Sequence, residues 1–178
     1  MFTDGSQPIG RGIGPVLEAL DVLAVLNCDK HAPNDLRAHA LMLAGQILEL
    51  SKAVPQGCGI NIATDILDSG KAFSKFQAIC NAQGGMRDIP KASIVHTIES
   101  KHSGTIVNID NRYISQVAKL AGAPKSKYAG VELLVPLHSV VTKSQPLFKL
   151  YAETQGELRY ALDFLKQGHD IFQIEVSE

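Results

Sequence analysis

Apolar residues recur at helical spacing through the first half of the chain. Val16, Leu17, Leu20, Leu23, Val25 and Leu26 follow Pro15 as one stripe. Proline suits the first turn of a helix, where its missing N–H would have no partner anyway. Leu36, Ala40, Leu43, Ala44, Ile47, Leu48 and Leu50 form a second stripe, with Asn34 or Asp35 placed to cap it. Two shorter helices are expected over residues 61–69 and 71–83, parted by Gly70. Gly84-Gly85 stops the second, since glycine takes left-handed dihedrals at little cost.

The pattern changes near Pro90. Residues 93–99 and 104–109 read as strands split by a turn at Lys101-His102-Ser103-Gly104. Asp110, as an N-cap, begins a helix through Ala121 that Gly122-Ala123-Pro124 ends. Residues 131–135 and 147–152 are expected as strands, 157–167 as an amphipathic helix with Leu158, Ala161, Leu162 and Leu165 inward, and 171–176 as a last strand. The fold class is α+β, with a helical segment over 1–89 and a mixed domain over 90–178.

Composition narrows the classes of function. Hydrophobic residues at 45% and charged residues at 20% are the balance of a soluble globular protein. Lys plus Arg is 17 and Asp plus Glu is 18, so no global field favours nucleic acid or an anionic membrane. No apolar run is long enough to span a bilayer, and the first six residues have neither the basic region nor the apolar core of a signal peptide. Cys28, Cys58 and Cys80 are widely spaced and odd in number, which suits buried thiols in a reducing cytoplasm better than a disulfide framework.

Gly10, Gly12 and Gly14 open the first helix. Such a loop can present N–H groups to phosphate, or serve only tight turning and close packing. Its carbonyls, with a carboxylate one or two helical turns onward, can instead ligate a hard cation; Glu18 and Asp21 stand at that distance, unless they are an ordinary solvated helix face. The loop has almost no chain before it, so a preceding strand is expected to be missing. The six histidines, His31, His39, His96, His102, His138 and His169, show no metal-ligand spacing and read as surface or loop residues. Lys125 and Lys127 fall in a turn and read as solvated. These residues alone do not identify a reaction.

The run from Thr3 to Ala19, Thr-Asp-Gly-Ser-Gln-Pro-Ile-Gly-Arg-Gly-Ile-Gly-Pro-Val-Leu-Glu-Ala, resembles a signature of the pyrimidine-nucleoside phosphorylase family, in its thymidine phosphorylase and AMP phosphorylase branch. The resemblance continues through Asp35-Leu36-Arg37, Ser69-Gly70-Lys71-Ala72-Phe73, Ala82-Gln83-Gly84-Gly85, Ile109-Asp110-Asn111-Arg112, Ala118-Lys119-Leu120-Ala121-Gly122-Ala123-Pro124 and Gln145-Pro146-Leu147-Phe148. It implies a C-terminal portion of a longer enzyme: the last helices of a large α/β domain, then an α/β-hammerhead domain from about Pro90. It implies phosphorolysis of thymidine to thymine and 2-deoxyribose 1-phosphate in the parent, with AMP phosphorolysis as the alternative. A non-catalytic scaffold module standing alone is the other reading.

The family's phosphate loop, base-binding group and general acid would all precede Thr3. The resemblance therefore implies no catalytic residue in this chain and no activity for it in isolation. It implies one metal element, a potassium ion held in the intact enzyme by the carbonyls of Ile9 and Gly12 and by Asp21, where relatives have the longer Glu. Its partners would be nucleoside and phosphate, without nucleic acid or membrane, and the parent would be a cytoplasmic homodimer through its missing helical domain. Where relatives carry Gly-Asp or Gly-Glu and then Lys-Gly, this chain has His138-Ser139 and Ser144-Gln145, so altered turns are expected there. Hammerhead barrels resemble biotinyl and lipoyl carriers, but no lysine-bearing hairpin is present, which excludes a carrier role.

Overall fold

The computed structural model describes residues 3–167 and 170–176. Met1 and His169 lie outside the described residues. The chain divides into two compact units, Leu20–Ile89 and a second made of Met1–Ala19 with Pro90–Glu178. The sequence expectation put a boundary at 89/90 and assigned all of 1–89 to the helical part. By compactness the first nineteen residues go instead with the C-terminal unit.

The helical unit holds most of α1 (Pro15–Leu26), α2 (Asn34–Leu50), α3 (Gly59–Asp68) and α4 (Lys71–Ala82). Pro33, not Asn34 or Asp35, occupies the N-cap of α2: its backbone is extended and its carbonyl accepts the first helical hydrogen bond from Arg37 N–H at 3.1 Å. Asp35 sits in the first turn, where its charge suits the helix dipole. Gly70 takes a left-handed φ of 76° between α3 and α4, and Gly84 and Gly85 do the same after α4, as their positions predict.

The core of this unit is small, centred on Val25, Ala32, Leu41, Ala63 and Leu67. The apolar stripe expected to bury along α2 is only partly covered. Ile47 is 65% and Leu50 82% exposed. The thiols expected to be buried are not: Cys28 and Cys58 are exposed and Cys80 half-buried. Cys28 sits in the left-handed turn after α1, with Sγ 3.6 Å from the Leu67 carbonyl, so turn geometry rather than core packing places it.

The other unit is built on two antiparallel sheets. β1 (Gly12–Ile13), β4 (Gly130–Leu133), β6 (Pro146–Ala152) and β2 (Ile94–Glu99) form the first in that spatial order. β5 (Val140–Val141), β3 (Gly104–Ile109) and β7 (Phe172–Glu175) form the second. β1 and β5 carry no readable alternation and were not foreseen. α5 (Asn111–Leu120) and α6 (Gln155–Leu165) complete the unit. Alternation along β6 sends Phe148, Leu150 and Ala152 inward. They meet Ile106, Ile114, Val117 and Val131, all fully buried. Each such aliphatic side chain contributes about 1.5–3 kcal/mol by leaving water.

The ends of both helices follow local rules. The Asp110 carboxylate accepts from the N–H groups of Arg112 and Tyr113 at 3.0 and 2.9 Å and starts α5. Thr154 and Glu157 cap each other's backbone at the start of α6. His138 and Ser144, in the turns on either side of β5, both adopt left-handed φ, 67° and 65°.

Candidate functional site

The glycine loop is tied to the C-terminal unit along its length. The Asp4 carboxylate accepts from the N–H and the hydroxyl of Ser6 at 2.9 and 3.0 Å. The Ser6 backbone bond is the main reason the Asp4 carboxyl titrates below the usual carboxylate range. Asn111 Nδ2 donates to the Gly5 carbonyl at 2.8 Å, and Leu137 N–H donates to Gln7 Oε1 at 2.7 Å. Leu133 N–H donates to the Arg11 carbonyl at 2.8 Å, and Val16 N–H to the Lys127 carbonyl at 3.1 Å.

That register fixes where Gly12 points. Gly12 stands opposite Glu132 and Ile13 opposite Val131. Since Arg11 and Leu133 exchange a ladder bond, Gly12 is the alternate, non-bonded position of an antiparallel pair. Its carbonyl is therefore directed away from β4. A side chain at Gly12 would collide with the Leu17 backbone, its Cβ lying 2.6 Å from the Leu17 carbonyl oxygen. Gly14 likewise abuts the Ala129 carbonyl, at a φ of 139°. The glycines thus serve close packing of loop, strand and helix.

The three residues expected to hold a cation are placed as follows. Ile9 lies in the loop, 41% exposed, and Gly12 three residues on in β1. Asp21 lies in the second turn of α1, half-buried, in the stretch assigned to the helical unit. Glu18 is turned back on the loop, its Oε1 accepting from Gly14 N–H at 3.0 Å, and so caps the start of α1. Among the described residues no three His, Cys, Asp or Glu side chains gather to hold a metal ion. Any cation here would rest chiefly on main-chain oxygens.

A polar cluster not singled out from the sequence lies on the sheet face that Gly12 shares. Glu132 Oε2 accepts from Tyr151 OH at 2.5 Å and from Lys149 Nζ at 3.3 Å. Burial first, then the bond to Glu132 and its charge, push the Tyr151 phenol well above its ordinary value. Tyr151 is thereby kept a neutral donor. The alternation of Glu132, Lys149 and Tyr151 with buried neighbours marks a partly solvated face, but only strand pairing brings the three together.

The C-terminal unit also contains a cleft of about 890 Å³, lined by His96, Ile98, Phe148, Leu165 and Phe172, with Lys101 and Asp170 paired at 3.3 Å on its wall. The helical unit contains a groove of about 470 Å³ whose lining, including Val22, Leu36, Ala44, Ile47, Leu48 and Ile66, is wholly aliphatic. The five described histidines are exposed or half-buried, as expected, and His96 lies in a strand. No described helix is long and apolar enough to cross a membrane.

No protein-family model matches the chain. Curated relatives match almost all of it. A protein of Legionella pneumophila (strain Paris) named "Putative thymidine phosphorylase" is 54% identical over 171 residues, 96% of this chain and 33% of the relative. "Putative thymidine phosphorylase 2" of Acidovorax sp. (strain JS42) is 52% identical over 172 residues, 97% of the chain and 34% of the relative. A protein of Maricaulis maris (strain MCS10), named like the first, is 50% identical over 175 residues, with 98% and 34% covered. The resemblance read from the motifs thus extends over nearly the whole chain. The chain spans about a third of the length of the curated relatives it matches.

Proposed function

We propose that this chain is the C-terminal portion of a thymidine phosphorylase and acts only as part of that longer enzyme. The observation that carries this reading is identity of 50% or more, sustained over 171 or more residues, to proteins three times as long that bear that name. The aliphatic groove of the helical unit supports it. Exposed Ile47 and Leu50 and the groove between the helices are what an α/β domain presents when the layer beneath its helices is elsewhere.

In the proposed reaction a phosphate oxygen bonds to C1′ of thymidine while the C1′–N1 bond breaks. The electron pair leaves with thymine, which takes up a proton, and 2-deoxyribose 1-phosphate remains. Positioning and charge stabilisation dominate such chemistry. Residues 3–14, with β1 among them, would form a supporting segment ahead of α1, and residues from about 90 onward the hammerhead domain. In the parent, the Ile9 and Gly12 carbonyls and the Asp21 carboxylate would help hold a potassium-sized ion, with further ligands from outside this chain. The outward direction of the Gly12 carbonyl fits that role. Such an ion would supply positive charge beside the phosphate. The parent is proposed to be a cytoplasmic homodimer.

The test is a chimera. The matched third of the Legionella relative is replaced by this chain, and thymine release is followed beside the unaltered relative and the isolated chain. The chimera is expected to release thymine at a rate within about tenfold of the relative, and the isolated chain to release none. A folded chimera without phosphate-dependent thymine release, beside an active relative, would sink the proposal.

A further inference from the structure

We infer that Gln7 is a positioning residue: its side-chain amide pins the glycine loop to the C-terminal unit and so sets where the loop carbonyls stand. The cation part of this inference rests on the reading proposed above; the pinning itself does not.

Residues 3–11 form neither helix nor strand, so their path must be held by contacts outside the segment. The contacts at Gly5 and Arg11 use main-chain carbonyls, which any residue type could offer. Gln7 differs, because it contributes a side-chain acceptor. Leu137 N–H, 130 positions later, donates to Gln7 Oε1 at 2.7 Å, and both residues are half-buried. Leu137 lies between β4 and β5, in a stretch where Leu134 N–H donates to the Leu147 carbonyl at 2.9 Å and His138 N–H to the Ile106 carbonyl at 2.9 Å. Gln7 supplies the acceptor that this stretch of backbone needs. Losing it would strand a half-buried donor and free the loop together.

The position of Gln7 gives the pin leverage. Pro8 follows, with φ locked near about −65°, so a fixed Gln7 directs the chain straight into Ile9. At the far end Arg11 is held by Leu133, and Gly12 by its register with Glu132. Ile9 thus lies between two anchors on the same unit. Release of one anchor lets the Ile9 carbonyl swing while Gly12 stays paired.

Two substitutions separate the pin from mere bulk. Gln7→Leu keeps the size and removes the acceptor; Gln7→Glu keeps the acceptor. In the chain itself, amide hydrogen exchange should rise about tenfold at Leu137 and through residues 9–11 in Gln7→Leu, and stay within about twofold in Gln7→Glu. Exchange unchanged in Gln7→Leu overturns the inference. In the active chimera, Gln7→Leu should raise half-saturating potassium about fivefold, with kcat at saturating potassium within about twofold, and Gln7→Glu should behave as the parent. Faster exchange with unaltered potassium dependence overturns the positioning role for the site. A chimera active without any potassium dependence rejects the cation reading, and the exchange result then decides the pin alone.

Discussion

Gly59, the first residue of α3, lies directly against the carbonyl oxygen of Gly45 in α2, and neither position has room for a side chain. A Cβ on Gly45 would stand 2.7 Å from the Ile60 backbone nitrogen. Glu49 reinforces the crossing by accepting from Gly59 N–H at 2.8 Å. The obstructing atoms are backbone, so they cannot step aside as a side-chain tip could. Gly45→Ala should therefore destabilise the helical unit by about 1–3 kcal/mol despite its higher helix propensity. Urea titration followed by circular dichroism checks this; an unchanged or raised midpoint would show that the helices can shift apart freely.

The Tyr151–Glu132 bond predicts an alkaline weakness. The folded phenol titrates above its ordinary value, chiefly because of burial and then because of Glu132. In the unfolded chain it ionises near about 10. The resulting stabilisation is complete below that pH and is lost as pH rises through the folded value, because the unfolded chain releases its proton first. Stability should fall from about pH 10 upward, and Tyr151→Phe should flatten part of that fall. Parallel slopes for the two proteins between about pH 9.5 and 11 would count against it.

Ser144 holds a left-handed φ of 65° that its side chain disfavours. Left-handed backbone costs a non-glycine residue about 1–2 kcal/mol, and glycine returns part of the relief as unfolded-state entropy. Ser144→Gly should raise stability by about 0.5–1 kcal/mol. A thermal midpoint no higher than that of the parent chain would mean that the turn itself relaxes.

Residues 81–91 are exposed, and from Gly85 to Lys91 the backbone has no helix or strand. Arg87 and Lys91 make that stretch a trypsin target. Cleavage there should leave two fragments that still co-elute on size exclusion, because β1 in the first remains paired with β4 in the second. Separation of the fragments under native conditions would contradict the pairing.

Much of the local structure was legible. Gly70 and Gly84-Gly85 end helices because glycine tolerates positive φ, and Asp110 begins α5 because a short carboxylate reaches two N–H groups. β-type runs bounded by turn signals marked the strands expected at 93–99 and 147–152, which the structure forms over Ile94–Glu99 and Pro146–Ala152. The motifs carried the resemblance that the relatives support. Two expectations differ from the structure: Pro33 rather than Asn34 or Asp35 stands at the N-cap of α2, and Cys28 and Cys58 are exposed.

What the sequence by itself determined were features set within a few residues of one another: periodicity, caps, turns and the glycine signature. Tertiary structure alone decided that Gly12 stands opposite Glu132, that Glu132 meets Lys149 and Tyr151, and that Gln7 takes up the Leu137 N–H. It also decided that the compact unit around Pro90–Glu178 takes in the chain up to Ala19, rather than leaving that stretch with Leu20–Ile89. The physical reason is that β1 has only two residues, too few to show a period. It is a strand only by pairing with β4, more than a hundred positions away, and no rule acting along the chain reaches that far.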